Sequence, residues 1–256
     1  VSVLPPYETQ TGASWYTGTA SAVYQNIDYI KLNDPKYVLI LSGDHLYSMN
    51  YQEMIAAHEE HSADLTVSVM RVPWEETSRF GILTADKDNM VTKFTEKPKK
   101  ADSNLASMGI YVFSTEVLLD ALEKDAQNKN SSNDFGNDLI PMLLAEQKRI
   151  HAFEFEGFWR DVGTIESYYD TAISLLDENP EFDIFNQPKP IMSNENSLHS
   201  HYLGDNCKLE NCMVANGTVC MGKAKHSILS IGCFVGEGAK VEDSVILPGA
   251  KIMEGA

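Results

Sequence analysis

Basic residues are scarce in this sequence: 20 Lys and Arg stand against 37 Asp and Glu, a formal net charge of −17 over 256 residues. That balance excludes general binding along a nucleic-acid backbone, which needs clustered Lys and Arg to displace counterions. A single nucleotide is still admissible, because a few local groups and Mg²⁺ hold it whatever the global charge. Isolated bases such as Lys97 and Arg160 do sit inside motifs. Cysteine is also sparse. All four (Cys207, Cys212, Cys220, Cys233) fall in the last quarter without a C-x-x-C spacing, and with His199, His201 and His226 they match no common zinc pattern. Reduced, packing thiols are expected. No apolar window approaches the length of a membrane-spanning helix, and Val1-Ser2-Val3-Leu4-Pro5-Pro6 lacks the charged-then-apolar order of a signal peptide. A cytoplasmic protein is the default expectation.

What is present is an ordinary globular composition, 43% hydrophobic and 22% charged. Residues 1–178 alternate helix-like and strand-like stretches, the pattern of an α/β fold with a Rossmann-like, mostly parallel sheet. Helices are predicted over 19–31, 51–58, 115–124, 135–147 and 164–177, and strands over 37–41, 65–70, 80–83, 91–94 and 110–113. The 37–41 run reads as buried on both faces and the 65–70 run, which alternates, as half-buried. Residues 179–201, with Pro180, Pro188 and Pro190, read as a linker. Beyond it Leu229, Val235, Val241, Leu247 and Met253 recur every six residues, with Gly232, Gly238, Ser244, Ala250 and Ala256 in phase. That period predicts a left-handed parallel β-helix of hexapeptide repeats over 202–256. The sequence stops in mid-repeat, so the β-helix is expected to be incomplete here.

Two acidic turns carry the chemistry. Ser42-Gly43-Asp44-His45 closes the 37–41 strand, and Trp159-Arg160-Asp161-Val162-Gly163-Thr164 opens a helix. A Mg²⁺ ion shared with substrate phosphates needs only one or two protein carboxylates, and Asp44 and Asp161 would supply them. Asp44 would then stand at the carboxyl edge of a parallel sheet, where α/β folds bind ligands. Taken alone, Gly-Asp after a strand is an ordinary turn.

Further motifs change that balance. Trp15-Tyr16-Thr17-Gly18-Thr19-Ala20-Ser21-Ala22-Val23, Arg79-Phe80-Gly81, Phe94-Thr95-Glu96-Lys97-Pro98, Ser107-Met108-Gly109-Ile110-Tyr111-Val112-Phe113 and Asp134-Phe135-Gly136 flank the acidic turns. In this order the set resembles the bacterial glucose-1-phosphate adenylyltransferases (ADP-glucose pyrophosphorylases), over nearly the whole chain. Several motifs are common to sugar nucleotidyltransferases generally; Trp-Tyr-x-Gly-Thr-Ala and Ser-Met-Gly-Ile-Tyr-Val-Phe point to the ADP-glucose branch.

The resemblance implies transfer of the adenylyl group of ATP to glucose 1-phosphate, with Mg²⁺ on Asp44 and Asp161. It implies that Gly18, Thr19 and Ala20 form a turn against the adenine, with Gly43 and Asp44 also nucleotide-binding. Lys97 would hold the sugar phosphate, Glu96 would accept from glucose hydroxyls, and Tyr16, Gly81 and Ser107 would complete the glucose 1-phosphate contacts. Each has a plainer reading. Thr19 begins a helix, whose N-terminus also suits anions; Glu-Lys-Pro is a surface turn; Tyr16 packs; Gly81 enters a strand; Ser107 is a strand hydroxyl; Arg160 pairs with an acid; Asp134 caps a helix. The resemblance also implies a Gly-rich triphosphate loop ahead of the point that Val1 matches. No such loop occurs in the sequence, and the chain alone is expected to be inactive. A homotetramer, or a hetero-oligomer with a regulatory homologue, is the family expectation. Use of UTP, dTTP or GTP, or a non-catalytic regulatory role, are the alternatives, and retention of Asp44, Lys97 and Asp161 favours catalysis.

Overall fold

The computed structural model describes residues 2–6, 8–9, 12–13, 15–186 and 198–256. In chain order these form β1 (Glu8–Thr9), β2 (Gly12–Ala13), α1 (Thr19–Tyr24), α2 (Ile27–Asn33), β3 (Tyr37–Ile40), β4 (His45–Tyr47), α3 (Tyr51–Glu60) and β5 (Leu65–Arg71). Next come β6 (Gly81–Ala85), β7 (Val91–Glu96), β8 (Leu105–Ser114), α4 (Thr115–Gln127), α5 (Ile140–Ala145), β9 (Ile150–Glu154), β10 (Trp159–Asp161) and α6 (Ile165–Ser174). The rest is β11 (Tyr202–Leu203), β12 (Lys208–Val214), β13 (Val219–Cys220), β14 (Lys223–Leu229), β15 (Phe234–Val235), β16 (Lys240–Glu242), β17 (Val245–Ile246) and β18 (Lys251–Ile252). By contact the chain divides into two compact units, Val1–Gly43 with Met49–Glu156 and Asp44–Ser48 with Gly157–Ala256.

The first unit is built on a sheet ordered β7-β6-β8-β5-β9, with β3 joined to the C-terminal half of β8. The strands that alternate with helices, β3, β5 and β9, share one direction, as a mostly parallel α/β sheet requires. β8 runs against them between β3 and β5, and β6 with β7 adds an antiparallel hairpin. Leu65, Val67, Val69, Phe113, Leu118, Leu122, Leu139 and Ile150 form the centre of the core. Each such side chain, fully removed from water, contributes about 1.5–3 kcal/mol before entropy is counted.

Several local expectations are corrected. The helix expected over 19–31 is two helices, because Asn26 turns its amide Nδ2 back to the Ala22 carbonyl at 2.8 Å and breaks the ladder there. The burial of the first two expected strands is exchanged. β5 is buried on both faces through Met70's neighbour Val69, while every residue of β3 is only half-buried. The hydroxyls of β5 are accommodated rather than exposed: Thr66 Oγ1 lies 2.9 Å from His58 Nδ1, and Ser68 donates to Met108 Sδ at 3.1 Å. Burial lowers the His58 pKa and so keeps the neutral ring that can serve Thr66 and Ser114 together. The helix expected from 135 opens as a π-turn over Phe135–Leu139, in which Leu139 N–H reaches Asp134 O at 3.2 Å, ahead of Pro141, which has no N–H of its own. β9 was not expected; it is the parallel partner of β5. Of the linker expected at 179–201, residues 187–197 lie outside the described residues. Within its described part Phe182 is buried against Phe158, with ring centroids 5.2 Å apart.

In the second unit, 202–256 form a parallel solenoid of about three turns with two stacked sheets, β11-β13-β15-β18 and β12-β14-β16, β17 extending the latter along β14. Inward columns run through Cys220, Val235 and Ile252, and through Val214, Leu229 and Ile246, whereas Leu203, in register with Cys220 in the first coil, is exposed. The expected hexad register therefore slips after Val241. Leu247 and Met253 are 54% and 64% exposed, and Ile246 and Ile252 pack on the core in their place. The cause is a left-handed corner residue in each coil, Asn211, His226 and Asp243 with φ of 48°, 45° and 45°, which shortens the interval between the inward positions on either side. A second corner is a stack of glycines, Gly217, Gly232 and Gly249, at φ 73°, 69° and 71°, where a side chain would be strained.

This register predicts that Ile246→Ala lowers unfolding stability by about 1–3 kcal/mol, since it empties a half-buried core position. Leu247→Ala should fall within about 0.5 kcal/mol of the parent. Chemical denaturation of the two variants checks this; the reverse order would restore the uninterrupted hexad.

Candidate active site

Within the second unit, β4 and β10 pair antiparallel with Asp161 opposite His45, and Val162 N–H donates to Asp44 O at 2.9 Å. This ribbon brings Asp44 and Asp161 to one place. A methyl carbon added at Gly163 would stand 3.0 Å from Asp161 Oδ1 and 3.1 Å from Asp44 Oδ2, so both carboxylates close over the bare Cα of that glycine. Asp161 Oδ1 also accepts the Gly163 N–H at 2.8 Å, and His45 Nε2 lies 3.5 Å from Asp44 Oδ1. Trp159 fixes the ribbon by donating Nε1–H to His45 Nδ1 at 3.3 Å, with the two rings edge to face at 5.1 Å. Thr164 caps α6 by accepting from Ser167 N–H at 3.1 Å, and the Ser167 hydroxyl donates to the Asp161 carbonyl. Two like charges are thus held next to a helix N-terminus, whose partial positive charge favours them. Arg160 does not join the pair: it binds Glu181 at 3.0 Å, the plainer of its two readings.

The other motif residues belong to the first unit. Glu96 Oε2 sits in a cradle of two glycines, 2.7 Å from where a Gly81 Cβ would lie and 2.8 Å from that of Gly136. Burial raises the Glu96 pKa, Lys97 opposes the rise and Asp134 adds to it. Lys97 follows with φ of 41°, its ammonium 3.9 Å from Glu96 Oε1 and two-thirds exposed. Ser107 accepts Gly109 N–H at 3.3 Å and pairs with the buried Tyr111 hydroxyl, whose pKa burial pushes up to about 12. Gly81, Glu96, Lys97 and Asp134 are therefore neighbours, with Ser107 and Tyr111 coupled to the same acids.

Elsewhere the structure gives the motif residues local duties. Gly18 is extended, at φ −177°, and a Cβ there would lie 2.3 Å from the Asn133 carbonyl, so its missing side chain already serves an internal contact. The expectation that the start of α1 offers its amides to an anion is corrected. Ala20 and Ser21 N–H both point at Asn133 O, at 2.8 and 3.4 Å, and Ala20 is buried. Thr19 Oγ1 donates to Asp134 Oδ2 at 2.9 Å and accepts Phe135 N–H at 3.2 Å. Asp134 also caps the following turn through Gly136 and Asn137 N–H, as its plainer reading held. The Tyr16 hydroxyl donates to Leu4 O at 2.8 Å and accepts from Asn26 at 2.9 Å. Gly43 is exposed, with nothing within 4 Å of an added Cβ. Asn133, Gly136 and Gly163 were not singled out from sequence. The two glycines stand inside quoted motifs, whereas Asn133 acts through its backbone and leaves no side-chain signal.

Comparison with known proteins adds two matches. Residues 1–178 match the family model described as nucleotidyl transferase, and residues 198–256 match the model described as GlmU-like, C-terminal hexapeptide. Glucose-1-phosphate adenylyltransferase of Desulfitobacterium hafniense (strain Y51) is 43% identical over 254 residues, 99% of this chain and 64% of that protein. The proteins of the same name from Bacillus mycoides (strain KBAB4) and Bacillus anthracis are 47% and 46% identical over 252 residues, 98% of this chain and 67% of theirs. The chain thus spans about two thirds of the length of these relatives.

The contact at Gly18 gives a prediction that needs no ligand. Gly18→Ala should lower stability by about 1–3 kcal/mol, the usual cost of overpacking, because Asn133 must move. Thermal melts of ligand-free protein check this. Unchanged melting would mean that Gly18 is kept open for something other than Asn133.

Proposed function

Because the chain belongs to the nucleotidyl transferase family, we propose that the protein carrying it transfers the adenylyl group of ATP to α-D-glucose 1-phosphate, giving ADP-glucose and pyrophosphate for α-glucan synthesis such as that of glycogen. The observation that carries the reading is the convergence of Asp44 and Asp161 over Gly163. The choice of adenylyl and glucose rests on the motif order and on relatives of that name at 43–47% identity.

The donor set fits Mg²⁺. Both groups are hard carboxylate oxygens close to one point, and among the described residues no cluster of three or more His, Cys, Asp or Glu could hold a metal unaided. Asp44 and Asp161 would hold the ion, which when bound would neutralise charge on the reacting phosphates. The chain's own residues have simpler tasks. A phosphate oxygen of glucose 1-phosphate attacks the α-phosphorus, the bond from that phosphorus to the bridging oxygen breaks, and its electron pair leaves with pyrophosphate. The attacking oxygen is already anionic, so no protein nucleophile and no general base is required. Lys97, exposed and anchored on its left-handed backbone, would bind the sugar phosphate through its ammonium. Glu96 would accept from glucose hydroxyls in its ionised form, which Lys97 favours against the burial that disfavours it. The turn at Gly18, Thr19 and Ala20, fastened by Asn133 and Asp134, would present a fixed surface to the base.

Two further parts of the reading follow the family. The solenoid would mediate assembly, as a homotetramer or with a regulatory homologue, supported by exposed Tyr202, Leu247 and Met253. Cytoplasmic residence is supported by four free thiols; no helix among the described residues is long and apolar enough to cross a membrane.

The test is pyrophosphate formation by the full-length protein with glucose 1-phosphate and each of ATP, UTP, dTTP and GTP. ATP should give the highest kcat/KM by about tenfold or more, the 1.4 kcal/mol that one or two base contacts supply. Faster turnover with another nucleotide would reassign the donor, and no turnover with any would favour a regulatory subunit.

A further inference from the structure

His45 joins the two strands of the acidic ribbon. On β4 it lies directly opposite Asp161 of β10, and the alternation of a strand puts Trp159, two places before Asp161, on the same face. The imidazole is largely withdrawn from water, at 11% exposure, so both of its nitrogens need partners. Each has one. Nδ1 receives the Trp159 indole Nε1–H at 3.3 Å, and Nε2 faces Asp44 Oδ1 at 3.5 Å.

These two neighbours together decide where the ring proton sits. An indole nitrogen can only donate, so Nδ1 must offer its lone pair, and a neutral imidazole that accepts at one nitrogen carries its proton on the other. The proton is therefore on Nε2, aimed at a carboxylate. The opposite tautomer would set N–H against N–H at Trp159 and lone pair against carboxylate at Asp44, and a ring turned over would put carbon against both. One arrangement serves both partners.

The consequence is felt at Asp44. Its Oδ1 faces His45, whereas its Oδ2 is the oxygen near Gly163 and the Asp161 carboxylate. Asp161 has a donor of its own, the Gly163 amide. We propose that His45 is a positioning residue of the cation site: Trp159 commits its Nε2–H to Asp44 Oδ1, which turns Oδ2 toward the point shared with Asp161. The inference rests on the cation reading of that pair and adds the group that orients one of its oxygens. Donors that orient ligating carboxylates are worth about 10- to 100-fold in metal affinity. The 3.5 Å separation, long for a hydrogen bond, puts His45 at the lower end of that range.

Two substitutions separate the two nitrogens. Asn places its amide where Nδ1 was, so it can accept from Trp159 but cannot reach Asp44; Gln places a donor where Nε2 was and leaves the indole N–H without that acceptor. Mn²⁺ is the probe, titrated by electron paramagnetic resonance into the full-length protein without nucleotide, with Asp161→Asn as the reference and melting followed alongside. His45→Asn should bind Mn²⁺ about tenfold more weakly than wild type with Tm nearly unchanged, whereas His45→Gln should recover most of the affinity while melting lower. Wild-type affinity in His45→Asn, beside weakened binding in Asp161→Asn, would overturn the positioning role and leave the cation site standing. Equal affinity in wild type and Asp161→Asn would remove both. The reverse order, with His45→Gln the weaker binder and His45→Asn intact, would likewise overturn the proposal and leave His45 only to hold Trp159.

Discussion

Two carboxylates that ought to repel are held over one glycine, and much of the surrounding structure is arranged to keep them there. Antiparallel pairing of β4 with β10 sets Asp161 opposite His45 and brings Asp44 to within reach of the same point. A side chain at position 163 would push them apart. The Gly163 amide, the His45 ring and the start of α6 offset part of the repulsion, and the Trp159 indole locks the His45 ring in place. What remains is a site of concentrated negative charge that a cation would complete.

The first unit uses a similar economy around Glu96. Its carboxyl rests on Gly81 and Gly136, near Asp134, and burial holds its pKa above the usual carboxylate range while Lys97 pulls the other way. Thr19 and Asn133 tie the start of α1 to the Asp134 turn, so a strand end, a helix start and a π-turn brace one another. Such bracing suits a binding surface, because groups held by neighbours need not be ordered when a ligand arrives.

How much of this was legible depended on whether the cause was local. Asp44 and Asp161 could be marked from short turns that follow or precede regular elements, and their meeting required only that those elements pair. The α/β alternation and the solenoid were visible from periodicity. The slip to Ile246 and Ile252 was not, because it arises from left-handed corners at Asn211, His226 and Asp243, and only glycine advertises such a backbone in sequence. Burial of β5 was also hidden: Thr66 and Ser68 looked like solvent-facing positions until His58 and Met108 supplied partners from distant segments. The Glu96 cradle joins residues 81, 96 and 136, and the Gly18 contact uses a carbonyl, which carries no side-chain identity.

The central claim is that Asp44 and Asp161 act as one cation site. Steady-state kinetics and thermal melts of full-length Asp44→Asn, Asp161→Asn and the double variant test it most directly. Each single change should cut kcat on the order of a hundredfold or more, with Tm unchanged or raised as repulsion is relieved. The double variant should be little worse than the poorer single one, since residues acting as a unit lose most of their function at the first substitution. Independent, additive losses in kcat, or a fall in Tm with kcat spared, would contradict the shared site.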